Sequence, residues 1–126
     1  MAKSFKIQTN PTFKAVVKVP RVGADPLDIT FTFKVKDRKE LAKMFGEWKA
    51  AHQELVKDSE DYSLEDWAEK EIEMQVKQLK DIVVGWGFDD EFNDENIEAL
   101  VSSVISVTDE IQLTYNEAYS RARSGN

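Results

Sequence analysis

Residues 28–45 read Asp28-Ile-Thr-Phe-Thr-Phe-Lys-Val-Lys-Asp37-Arg-Lys-Glu-Leu-Ala-Lys-Met-Phe45, and the apolar period changes inside this stretch. Before Asp37, Ile29, Phe31, Phe33 and Val35 alternate with Thr30, Thr32 and Lys34, the period of two that marks a half-buried strand. After it, Leu41, Met44, Phe45, Trp48, Ala51 and Leu55 recur at helical spacing. Asp37 and Glu40 stand at capping-box spacing, with Asp in the place usually taken by Ser or Thr. The chain passes from strand to helix at Asp37.

Upstream, Phe13, Ala15, Val17 and Val19 alternate with Lys14, Val16 and Lys18, which predicts a second strand. Pro20-Arg-Val-Gly-Ala-Asp-Pro-Leu27 between the two is rich in turn formers. It is longer than a tight hairpin loop, so a mobile connection is expected. Phe5 and Ile7 predict a further short edge strand.

Downstream, the acidic stretch Lys57 to Tyr62 interrupts the helical pattern. Ser63 and Asp66 have the spacing of the next cap. Leu64, Trp67, Ala68, Ile72, Val76, Leu79 and Val83 form the stripe of a longer helix. Gly85 and Gly87 are read as its terminators, since glycine tolerates positive φ. A third helix follows Asn93, with Phe92, Ile97, Leu100, Val101 and Val104 facing inward. Ile105 to Val107 fits no single period. Thr108 is the expected cap of a fourth helix carrying Ile111, Leu113, Tyr115, Ala118 and Tyr119. Strands first and helices after predict an α+β fold: an N-terminal antiparallel sheet of two or three strands, then about four helices. We expect one domain over 1–126, with a β unit at 4–36 and a helical body at 37–123.

The composition suits one core: 126 residues, 41% hydrophobic, with three Trp, three Tyr and seven Phe. There is no cysteine, which removes disulfides and thiolate metal sites and fits a reducing cytosol. Met1 to Asn10 lacks the apolar run of a signal peptide, and no window approaches the ~20 apolar residues of a membrane span. The net charge of −7 disfavours a nucleic-acid backbone as partner. That charge is unevenly placed. Residues 1–36 hold seven Lys or Arg against two Asp, whereas Asp81 to Ser120 hold ten Asp or Glu and no Lys or Arg. An acidic surface favours solubility. A basic and an acidic end also allow copies or partners to meet with opposite potentials facing.

Catalytic patterns are missing from the sequence. His52 is the single histidine, so a His-Glu-x-x-His zinc motif cannot form, and no nucleophile-elbow sequence accompanies it. His52 reads as a helix-surface residue. Gly85-Trp-Gly87 lacks the remaining elements of a phosphate loop. Asp89 to Asn96 carries acidic or amide residues at alternate positions, yet Asp94 replaces the glycine of an EF-hand loop and Leu100 its bidentate Glu. An acidic helix entrance, favoured by the helix dipole, is the simpler reading. No enzyme activity, cofactor or metal is expected.

Trp48 and Trp67 lie on helical stripes and are expected in the core. Trp86 sits between two glycines beside Phe88, in a stretch with little periodicity. It is either a core plug or a partner contact, since aromatics displayed at a turn make good interface anchors. Trp86 and Phe88, with the adjoining carboxylates Asp89, Asp90 and Glu91, are the candidate protein-binding residues.

Ile82-Val-Val-Gly-Trp-Gly-Phe-Asp-Asp-Glu-Phe-Asn-Asp-Glu-Asn-Ile-Glu-Ala-Leu-Val101 resembles the tail assembly chaperones of long-tailed bacteriophages (siphophage and prophage type). That family has a Gly-Trp turn, Asp-Glu-Phe, an Asn or Thr cap, Glu-Asn and a short apolar helix. Its closing helix is matched here by Ile111 to Arg123, with Tyr115, Ala118, Ala122 and Arg123. Asp37 to Phe45 fits the family's helix opening. Two departures stand out: Ile105-Ser-Val107 replaces an aromatic-proline stop, and Ser124-Gly-Asn126 replaces a Lys-Asn type tail. The resemblance implies a chaperone that binds the tape-measure protein and helps bring in the major tail tube protein. It implies work in the cytoplasm of the bacterial host and absence from the mature virion, while the charge and the lack of an apolar span lead us to expect no nucleic-acid or membrane partner. A head-to-tail homo-oligomer coating a rod-like partner is compatible with the charge division. A reading from another class stays open: an acidic regulatory inhibitor, antitoxin-like or a nucleic-acid mimic, bound to a basic partner.

Overall fold

The computed structural model describes residues 11–124. Strand β1 (Thr12–Arg21) pairs antiparallel with β2 (Ala24–Lys34). The pairs Phe13↔Phe33, Ala15↔Phe31 and Val17↔Ile29 gather the apolar alternates on one face, because opposed residues of an antiparallel pair share a face. Val17, Val19, Phe31 and Phe33 are buried there. Lys14, Val16, Lys18 and Thr30 point the other way and are exposed.

Helix α1 (Arg38–Lys57) opens at Asp37, whose carboxylate accepts from the Glu40 amide at 2.8 Å while Glu40 accepts from the Asp37 amide. A 3-10 turn (Ser59–Asp61) leads to α2 (Leu64–Ile82), capped by the same reciprocal arrangement of Ser63 and Asp66. Strand β3 (Val83–Trp86) follows without a break and pairs antiparallel with β2, giving the sheet order β1-β2-β3. Helix α3 (Asp94–Ser103) starts at the Asn93 cap, and α4 (Val107–Ser124) closes the described chain. The fold is α+β, with a three-stranded antiparallel sheet and four α-helices among the described residues.

Helices α2 and α4 cover the apolar face of the sheet, while α1 and α3 pack against α2. One cluster joins Val17, Phe31, Phe33, Leu79, Ile97 and Ile111. Polar bonds fix the helices on its edge: Trp48 Nε1 donates to Asp81 Oδ2 at 2.7 Å, and Gln112 Nε2 to Gln78 Oε1 at 2.9 Å. Every buried side-chain polar atom among the described residues has a partner.

Several expectations need correction. Pro20 to Leu27 is not a long loop. The strands continue to Arg21 and from Ala24, joined by Val22-Gly23, with Gly23 at φ 76°. Glycine reaches that conformation without the Cβ penalty that other residues meet. Pro20, Asp25 and Pro26 fall where the register shifts between Val19↔Leu27 and Arg21↔Ala24, so no regular ladder bond is required of the prolines.

Gly85 and Gly87 do not end α2. The helix stops at Ile82, and Gly85 lies inside β3. Val83 leaves the helical stripe and pairs with Phe33. Thr108 is not a cap. Helix α4 begins at Val107, two residues earlier than a Thr108 cap would give, after Ser106 at φ 68°, and Thr108 is buried with its hydroxyl donating to Gln75 Oε1 at 3.0 Å. Phe45, Ala51, Leu64, Ala68 and Leu113, expected inward, are exposed. Phe5 and Ile7 lie outside the described residues.

Candidate functional site

The segment from β3 to the start of α3 carries the candidate residues. Pairing Phe31 with Trp86 places the indole on the apolar side of the sheet. Its ring meets Phe31 at a centroid distance of 6.1 Å, Phe88 at 5.2 Å and Phe92 at 5.0 Å. All three contacts are edge-to-face, the arrangement favoured by the ring quadrupole. Indole Nε1 donates to the Asp90 carbonyl at 2.8 Å and closes the loop on itself. Trp86 and Phe88 are half-buried and pack against the core. The two readings of Trp86 therefore need not compete. The ring plugs the sheet edge and also lines a surface cavity of about 230 Å³ with Phe88, Asp90, Asn96 and Leu100.

Gly87 makes this geometry possible. A Cβ there would lie 3.3 Å from the Thr30 carbonyl oxygen and 3.6 Å from its amide nitrogen. The backbone at Gly87 thus lies close against β2 at Thr30, next in line after the Phe31↔Trp86 pair. Gly85 has no such constraint, since a Cβ would meet Thr32 Cβ at 3.8 Å.

Asp89, Asp90 and Glu91 are exposed. Asn96 holds the backbone at Glu91, and Asn93 in turn caps the helix that carries Asn96. Asn96 Nδ2 donates to the Glu91 carbonyl at 2.8 Å, and Asn93 Oδ1 accepts the Asn96 amide at 2.8 Å. Lys80 Nζ reaches Asp94 Oδ1 at 3.0 Å and ties α2 to the first turn of α3. The five candidates thus lie together at the end of β3 and in the loop after it, the aromatics inward and the carboxylates outward. Sequence reasoning assigned no role here to Asn96. Its spacing from the Asn93 cap was the available signal, but its bond to Glu91 depends on the loop path.

Elsewhere, His52 is exposed on α1. Among the described residues, no group of three or more His, Cys, Asp or Glu is arranged to hold a metal ion. None of the helices described is long and apolar enough to cross a membrane.

A half-covered sheet, four helices and an aromatic loop buttressed at the sheet edge define a small α+β protein whose most distinctive chemistry lies at its surface. The chain belongs to the phage tail assembly chaperone family, whose family model matches residues 1–126. Neither the comparison with curated proteins nor that with solved structures gave a match.

Proposed function

We propose that this chaperone binds the tape-measure protein before the tail tube polymerises and helps recruit tube subunits. It does so as a single domain in the host cytoplasm, without catalysis or cofactor, and is left out of the finished virion. The observation that carries the reading is the Trp86 to Phe92 loop. Its aromatic interior is pinned to β2, while Asp89, Asp90 and Glu91 face solvent. A buttressed loop with a half-buried aromatic base and a charged rim has the make-up of an interaction hot spot. A tape-measure protein exposes apolar helical surface that must be shielded until tube subunits cover it.

Co-expression with the neighbouring tail genes and a pull-down tests this. The tagged chain is expected to retain the tape-measure protein. Asp89→Lys with Asp90→Lys, which changes exposed side chains only, is expected to weaken capture about tenfold. Retention of neither tape-measure nor tube protein by the unmodified chain would overturn the reading. Association of copies through the basic and acidic regions should weaken as salt rises. Light scattering across ionic strength reads that, and salt-independent association would exclude a charge-driven array.

A further inference from the structure

The ridge between α2 and α3 has a feature that the loop does not share. Two adjoining cavities, of about 390 and 340 Å³, run along it and share Ile72 as a common wall. Val76 and Val101 extend the apolar floor. Ile105 lines the far end with 75% of its surface exposed, a large apolar side chain left in water. The rim is acidic throughout. Glu69, Glu73 and Glu98 border the first cavity, and every charged residue lining either one is Asp or Glu. The side chains of Glu69, Glu73 and Glu98 make no ion pair or hydrogen bond among the described residues.

We infer that this groove docks a helical segment of a partner protein, with apolar side chains at i, i+3 and i+7 flanked by Lys or Arg. The inference rests on the chaperone reading and specifies the chemistry of what is bound. The floor selects apolar anchors, and the carboxylate rim selects cations by charge complementarity. The walls are α2, α3 and the start of α4, with no strand edge among the lining residues, so an amphipathic helix laid in the groove is the fitting mode. From Ala68 to Val76 the groove follows α2 for roughly 12 Å, about two helical turns. That is the span of an i to i+7 stripe. Nucleic acid is repelled by the same rim.

The probe is a synthetic amphipathic peptide of about 18 residues, with Leu at i, i+3 and i+7, Lys on the flanks and one fluorophore. It is titrated against the full chain by anisotropy at low salt, and saturable binding is expected. Glu69→Gln/Glu73→Gln/Glu98→Gln should weaken it about tenfold, whereas Glu47→Gln/Glu54→Gln/Glu60→Gln, the same charge change elsewhere, should weaken it less than about twofold. Ile105→Ser, at an exposed position that folding does not require, should weaken it roughly fivefold. A peptide with Ser for Leu, and one with Glu for Lys, should fail to saturate. Equal losses from the two triple variants, full binding by the Ser peptide, or no saturable binding would each overturn the groove. Capture of the tape-measure protein separates the two readings. If the unmodified chain and the groove variant capture it equally, the groove is excluded and the chaperone reading stands. If neither captures it, the chaperone reading falls, while the peptide still decides the groove.

Discussion

The phenol oxygens of Tyr115 and Tyr119, one turn apart on α4, lie 3.0 Å from each other. Tyr115 donates to the Lys34 carbonyl at 2.9 Å, and Tyr119 accepts from the Lys36 amide at 2.7 Å. The last described helix thereby grips the short link between β2 and the Asp37 cap of α1. Phe13 stacks on Tyr115 at 5.9 Å and Phe33 lies 5.5 Å from it, which keeps water from Tyr115.

This pair predicts alkaline sensitivity. Burial, then the hydrogen bond and charge of Tyr119 and the charge of Glu40, raise the Tyr115 pKa well above its ordinary 10.0. The folded chain keeps this proton where the unfolded chain loses it. The associated stability is full below pH 10.0 and falls as pH rises beyond it. Urea midpoints should drop more steeply from about pH 10 upward than in Tyr115→Phe, which lacks the titrating group. Equal slopes in the two proteins would refute this role.

Tyr119→Phe removes the acceptor for the Lys36 amide and keeps the ring. Leaving that amide unsatisfied should cost about 1–2 kcal/mol of unfolding free energy. Hydrogen exchange at Lys36 should quicken, while the amides flanking Ser63 at the distant α2 cap keep their rates. Uniform quickening would point to global destabilisation instead.

The signals legible in the sequence were local ones. Asp37 with Glu40, Ser63 with Asp66, and Asn93 are caps written in neighbouring residues, and all three open helices where expected. Strand β3 is not legible locally because Val83 extends the helical stripe of α2, and only pairing with Phe33, fifty positions away in sequence, pulls it out. The hairpin was misjudged because Pro20 and Pro26 suggest a loop, although a register irregularity accommodates both. Ser106 at positive φ carries no sequence signature, so the residues alone point to a later start for α4 than Val107. For the candidate site, the Trp86 loop stood out by composition. Its anchoring to Phe31 and Asn96 did not, because both contacts depend on the tertiary path.

Trp86→Ala should both destabilise the chain and disorder the candidate site. The half-buried indole offers edge contacts to Phe31, Phe88 and Phe92 and one hydrogen bond. Its loss should cost roughly 2–3 kcal/mol, below the range for a fully buried tryptophan. Trp86→Phe keeps ring packing but abandons the Asp90 carbonyl, which water can reach, so about 1 kcal/mol is expected. Chemical denaturation orders the three proteins. A Phe variant as unstable as the Ala variant would mean that the hydrogen bond, not the ring, holds the loop.

The two glycines flanking Trp86 should respond differently to the same methyl group. Gly85→Ala places its Cβ at ordinary contact distance from Thr32 and adds a residue better suited to a strand, so a change within about 0.5 kcal/mol is expected. Gly87→Ala drives its Cβ against the Thr30 carbonyl, an atom fixed in the middle of β2. The neighbour cannot yield without moving the sheet, so the loop must lift by a few tenths of an ångström and strain its closure. A cost of about 1–2 kcal/mol follows, rising further for Gly87→Val. Melting temperatures of the single variants read the difference directly. The lifted loop should also loosen the Trp86 bond to Asp90, seen as faster exchange of the indole N–H in Gly87→Ala and not in Gly85→Ala. Matching behaviour of the two alanine variants would mean that the close approach to Thr30 does not constrain the loop.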